Sequence, residues 1–141
     1  MKPFFAFFCK FTLFPISGFF TKKIEGRENI PAQNSFILAS NHTNGLDHWF
    51  IGNLLRKRVE DLRFVGAMDN LKLLLLSGLL YYLSNTIIIN RKEGNRKNTL
   101  EKMAECLKNN KIVVIYPEGD SNRKKELLRG KTGIAELVFK T

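Results

Sequence analysis

Phe36-Ile37-Leu38-Ala39-Ser40-Asn41-His42-Thr43-Asn44-Gly45-Leu46-Asp47 reads as a strand, a turn and the start of a helix, and that order sets the architecture. The apolar run ending at Ser40 has the length and character of a buried strand, and turn-forming residues follow at once. Behind Asp47, the residues Trp49, Phe50, Ile51, Leu54 and Leu55 repeat at helical spacing. Asp is a favoured N-cap residue, and Arg56, Lys57 and Arg58 suit the negative end of the same helix. A separation of five residues would hold His42 and Asp47 apart on one regular helix. The two side chains therefore meet only if His42 sits in the turn and Asp47 lies at or near the helix start. An imidazole fixed in one tautomer by a carboxylate can take a proton from a hydroxyl or thiol, worth about 10²–10⁴ in rate.

Working outward, the same pattern recurs. Strands are expected near 36–40, 62–67, 86–90 and 112–116, with helices near 46–58, 69–83 and 95–109 between them and another beginning around 125–131. That alternation predicts an α/β fold with a largely parallel sheet flanked by helices, and function at the strand ends. Ile112-Val113-Val114-Ile115-Tyr116 is β-branched and apolar, as a central strand should be. Pro117 ends it, and Gly119 allows a tight turn and close approach to a ligand. In that turn Glu118 can orient an acceptor hydroxyl or accept its hydrogen bonds, and Arg123 can pair with a phosphate. Thr86-Ile87-Ile88-Ile89-Asn90-Arg91 is a further strand ending in a cation, which either faces solvent or meets an anionic ligand at the same sheet edge.

Together these stretches resemble the glycerolipid acyltransferase family typified by 1-acylglycerol-3-phosphate (lysophosphatidate) acyltransferases. The family's Asn-His-x4-Asp motif is met by Asn41, His42 and Asp47. Its second motif is met by Asn90 and Arg91, with Asn85 in place of the usual leading Gly. The third, Phe-Pro-Glu-Gly-Thr-Arg, is met by Tyr116, Pro117, Glu118 and Gly119, and then Asp120 and Ser121 stand where Thr and Arg are usual. Ile24–Pro31 is similar to the lead-in to the first motif, and Lys131-Thr132-Gly133 to the helix after the third. The resemblance covers about residues 24–141.

What the resemblance implies is transfer of a fatty acyl group from a coenzyme A or acyl carrier protein thioester to a glycerolipid hydroxyl. His42 would be the general base and Asp47 its orienting partner. Asn41, Arg91, Glu118 and Gly119 would help bind the acceptor, with Arg123 or Lys124 reaching in for the displaced arginine. The expected acceptor is a lysophospholipid, foremost 1-acylglycerol-3-phosphate. Asp120 and Ser121 leave open glycerol phosphate, another lysophospholipid or an aminolipid, and a lipid-binding module without turnover is the reading from another class. The resemblance implies no cofactor beyond the thioester co-substrate. His42, His48, Cys9 and Cys106 make no metal-ligand spacing, and two cysteines agree with a reducing cytosolic side.

The chain carries 23 Lys and Arg against 13 acids, a formal charge of +10, which favours anionic partners. The basic runs lack interleaved aromatics and no nucleic-acid motif is present, so a nucleic acid is not the expected partner. Eight phenylalanines instead fall in the first twenty residues, broken by Lys10 and Pro15. Residues 1–23 therefore read as an interfacial anchor on an anionic membrane surface at the cytoplasmic face, and residues 24–141 as the acyltransferase domain. In the family it resembles, the domain continues into another strand, so the expectation is a fragment or a shortened variant, incomplete at its C-terminus and leaving an exposed sheet edge.

Overall fold

The computed structural model describes residues 1–67, 74–89, 96–122, 124 and 126–141. Its elements run α1 (Pro3–Phe11), α2 (Leu13–Phe20), a 3-10 turn at Arg27–Asn29, β1 (Phe36–Ala39) and α3 (Asp47–Leu54). A 3-10 stretch at Arg56–Asp61, β2 (Leu62–Ala67), α4 (Leu74–Ser84) and β3 (Ile87–Ile89) follow, then α5 (Arg96–Lys108), β4 (Ile112–Ile115) and α6 (Gly133–Lys140).

The four strands form one parallel sheet in the order β1-β4-β2-β3. Phe36 pairs with Ile112 and Leu62 pairs with the same residue from the other side, so β4 is central. Its Ile112, Val113 and Val114 are all fully buried, which is why this strand is a continuous apolar run. Alternation along it divides two cores. Ile112, Val114 and Tyr116 join Leu62, Phe64, Ile51 and Phe14 on one face. Val113 joins Val65, Ile87, Leu100, Met103 and Leu137 on the other, beneath α5 and α6.

The N-terminal helices belong to the first of these cores. Ala6, Cys9, Phe14 and Ser17 are buried there, whereas Phe4, Phe7, Phe11, Phe19 and Phe20 are exposed. Pro3 starts α1 at a position that needs no donor. The break falls at Thr12, because a helix continued through Pro15 would drive its ring into the carbonyl of Phe11. The two helices meet at a bend of 40°. The segment is clamped to the domain by Arg56, which donates to the Lys10 carbonyl at 2.7 Å, and by the Lys10–Glu60 ion pair at 3.1 Å.

Three expectations change. The helix expected to run to residue 58 stops at Leu54, and Arg56–Arg58 lie in the 3-10 stretch, where Arg58 faces Asp61 at 3.6 Å. The last helix begins at Gly133 rather than around 125–131; ahead of it, Glu126 and Leu128 bond to the Asn122 and Glu118 side chains instead. Asp47 starts α3 but does not cap it: its carboxylate turns back to the loop that precedes it.

Candidate active site

The turn between β1 and α3 carries His42 and the start of α3 carries Asp47, and the two meet. His42 Nδ1 lies 2.9 Å from Asp47 Oδ2. The carboxylate also accepts the Thr43 amide at 2.7 Å, the Asn44 amide at 3.0 Å and the Thr43 hydroxyl at 2.9 Å. Partial burial alone would raise the Asp47 carboxyl. The bonds from the Asn44 amide, His42 and Thr43 outweigh it, and the net displacement is downward from the usual value. An ionised Asp47 is a hydrogen-bond acceptor only. The proton between the pair therefore belongs to His42 Nδ1, leaving Nε2 as the basic nitrogen. Asn41 is exposed beside it.

Tyr116, at the end of β4, supplies the floor. Its ring stacks on His42 with centroids 4.2 Å apart and planes at 24°. His48, one residue into α3, meets Tyr116 at 5.5 Å, His42 at 5.9 Å and Phe64 at 4.6 Å. Burial holds His48 below the ordinary histidine value, with a bond to the Gly45 carbonyl opposing and the neighbouring His42 adding to the depression. Burial likewise pushes the Tyr116 phenol up, with Asp47 contributing. Its hydroxyl is buried without a hydrogen-bond partner among the described residues. The sequence reading missed both rings as site residues. They are brought together across 68 and 74 residues of chain, and no local spacing announces that.

The turn after β4 closes the site. Gly119 adopts φ +70°, and a Cβ there would come within 2.6 Å of Lys131 Nζ, which lies across it. The positive φ is what asks for glycine here, since the flexible Lys131 side chain can give way. Lys131 has no ion pair among the described residues, and its amide donates to the Pro117 carbonyl at 2.8 Å. The Glu118 side chain is buried, and its Oε2 accepts from Asn122 Nδ2 and from the Leu128 amide, both at 3.2 Å. Asp120 is exposed, and its Oδ1 accepts the Ser121 amide at 2.8 Å. Of the residues expected at the site, His42, Asp47, Glu118 and Gly119 therefore gather at the ends of β1 and β4. Asn90, Arg91 and Arg123 lie outside the described residues.

Among the described residues no three His, Cys, Asp or Glu side chains gather into a group that could hold a metal ion. Neither cysteine is set up as a nucleophile: burial pushes the Cys9 thiol up to about 11 and raises Cys106 as well.

A family model described as Acyltransferase matches residues 22–141. In overall fold the chain is similar to the crystal structure of the 1-acyl-sn-glycerophosphate (LPA) acyltransferase PlsC from Thermotoga maritima, at a TM-score of 0.64 and 23% identity. That match covers 96% of this chain and 60% of the Thermotoga protein, so the chain spans about three fifths of that protein's length.

Proposed function

The chain belongs to the acyltransferase family, and from that premise we propose that it moves a fatty acyl group from a thioester to the hydroxyl of a lysophospholipid. The acceptor that fits best is 1-acylglycerol-3-phosphate, which would become phosphatidate, and the donor is an acyl-CoA or acyl carrier protein thioester. The observation that carries the reading is the 2.9 Å contact between His42 Nδ1 and Asp47.

In the reaction, His42 Nε2 takes the proton of the acceptor hydroxyl as its oxygen attacks the thioester carbonyl carbon. The carbon–sulfur bond of the resulting tetrahedral intermediate then breaks. The departing thiolate recovers the proton from Nε2, so His42 ends as it began. Asp47 stabilises the imidazolium between the two steps, and no covalent enzyme intermediate is required. The Lys131 side chain over Gly119 supports an acceptor carrying a phosphate, because it brings to the same turn a cation with no ion pair among the described residues.

The two N-terminal helices support placement at a membrane surface. No single helix among the described residues is long and apolar enough to cross a bilayer, although the bent pair α1–α2 is by length and composition. Phe4, Phe7, Phe11, Phe19 and Phe20 face outward, and Lys22 and Lys23 follow directly. These features support the reading of an interfacial anchor on the anionic cytoplasmic leaflet, where a lipid acceptor and product would both reside.

The test is the native chain in mixed micelles with a long-chain acyl thioester and a panel of acceptors. Free thiol released in equal amount to phosphatidate, and only with lysophosphatidate present, is the expected result. Thiol release that is indifferent to every lipid acceptor would sink the proposal.

A further inference from the structure

Ser17, Thr99, Glu118 and Asn122 are the buried polar side chains among the described residues, and two of the four sit in the turn after β4. Burying a carboxyl and an amide costs free energy unless their polar atoms are bonded, and here the bonding is extensive. Asn122 Nδ2 reaches Glu118 Oε2 at 3.2 Å and the Glu126 carbonyl at 2.7 Å, while Asn122 Oδ1 accepts the Lys124 amide at 2.9 Å. The Leu128 amide closes on Glu118 Oε2 at 3.2 Å. These contacts tie Glu118, Asn122, Lys124, Glu126 and Leu128 to one another. Their output is a single backbone bond: the Asn122 amide donates to the His42 carbonyl at 2.6 Å.

We propose that Glu118 and Asn122 are positioning residues, a buried latch that ties the turn after β4 to the backbone of His42. The Asp47 bond fixes the imidazole from the side-chain end, and the latch fixes the same residue from its main chain. Glu118 then acts through Asn122 rather than on the acceptor. Glu118 Oε2 is already engaged by two protein donors, and no cation pairs with Glu118 among the described residues. The functional weight of the latch rests on the reading of His42 as the base; its structural part does not.

Glutamine at 118 keeps an oxygen for both donors, whereas alanine removes it. The experiment is amide hydrogen exchange at Asn122, read by NMR in the native chain, Glu118→Ala and Glu118→Gln, with kcat and acceptor KM measured on each. Alanine should speed exchange at Asn122 by about tenfold or more, with Val113 and Val114 in β4 unaffected. It should lower kcat by roughly ten- to a hundredfold with little change in KM. Glutamine should recover most of both. Unchanged exchange in the alanine variant overturns the latch, and so does a glutamine variant whose protection and kcat are native but whose acceptor KM has risen. Should Glu118→Ala fail to fold, Asn122→Ala removes the pair from its other side and retains the reporting amide. A native chain that transfers no acyl group would defeat the proposed function, and the exchange data would still decide the latch.

Discussion

Tyr116 has its ring and its hydroxyl in opposite circumstances. The ring stacks on His42, while the hydroxyl is buried with no hydrogen-bond partner among the described residues, a loss of about 1–3 kcal/mol relative to a bonded or absent group. Tyr116→Phe keeps the ring and removes the orphan. It should raise stability by about 1 kcal/mol or more in denaturant melts while leaving the stack intact, and a destabilised variant would contradict this account. His48 makes a second prediction. Its folded value is lowered from 6.5, so below about pH 6.5 the unfolded chain binds the extra proton and the folded state loses stability. The Met1 amine, lowered from 8.0 to about 5, has the same sign between those values, and Asp47 adds its share only below 3.8. Thermal midpoints should therefore fall as pH goes from 8 to 5. His48→Gln should make the fall shallower around pH 6.5, and an unaltered slope would contradict the assignment.

At the scale of elements, legibility followed how local the determining physics is. β2 occupies the expected 62–67, and β1 and β4 lie within their expected spans, because apolar runs ended by turn residues are local signals. The meeting of His42 and Asp47 was legible for the same reason, since a turn and a helix start lie within six residues. The bonding within the turn after β4 was not legible, because Glu118 reaches the Leu128 backbone amide ten residues away. The use of Asp47 as a loop acceptor instead of a cap was equally hidden, since both uses want the same residue at the same place. The approach of α2 to α3 also escaped the sequence reading. Gly52 allows it: a Cβ there would stand 2.5 Å from the Phe14 ring, which is itself buried and fixed. Gly52→Ala should cost about 1–3 kcal/mol by overpacking, despite alanine's better helix propensity. Calorimetry checks this, and a stabilised variant would show that α2 is free to move aside.

For the whole molecule, the outward phenylalanines of α1 and α2 and the +10 charge are both compatible with the membrane surface proposed as partner. Replacing Phe4, Phe7, Phe11, Phe19 and Phe20 by serine leaves the buried Ala6, Cys9 and Phe14 in place, so the fold should persist. Sedimentation with vesicles rich in anionic lipid should fall by at least tenfold. Binding of the native chain should weaken with salt, because each basic residue near the leaflet contributes about 1 kcal/mol of screened attraction. Undiminished sedimentation would remove the N-terminal helices from the membrane account.

The proposed function turns on one proton transfer at His42. The most direct measurement is acyl transfer to lysophosphatidate in mixed micelles by the native chain and by His42→Ala, with circular dichroism and vesicle binding on both. The account predicts two proteins alike in fold and lipid binding, with transfer reduced by about 10²–10⁴ in the variant. Equal transfer by the two would contradict it.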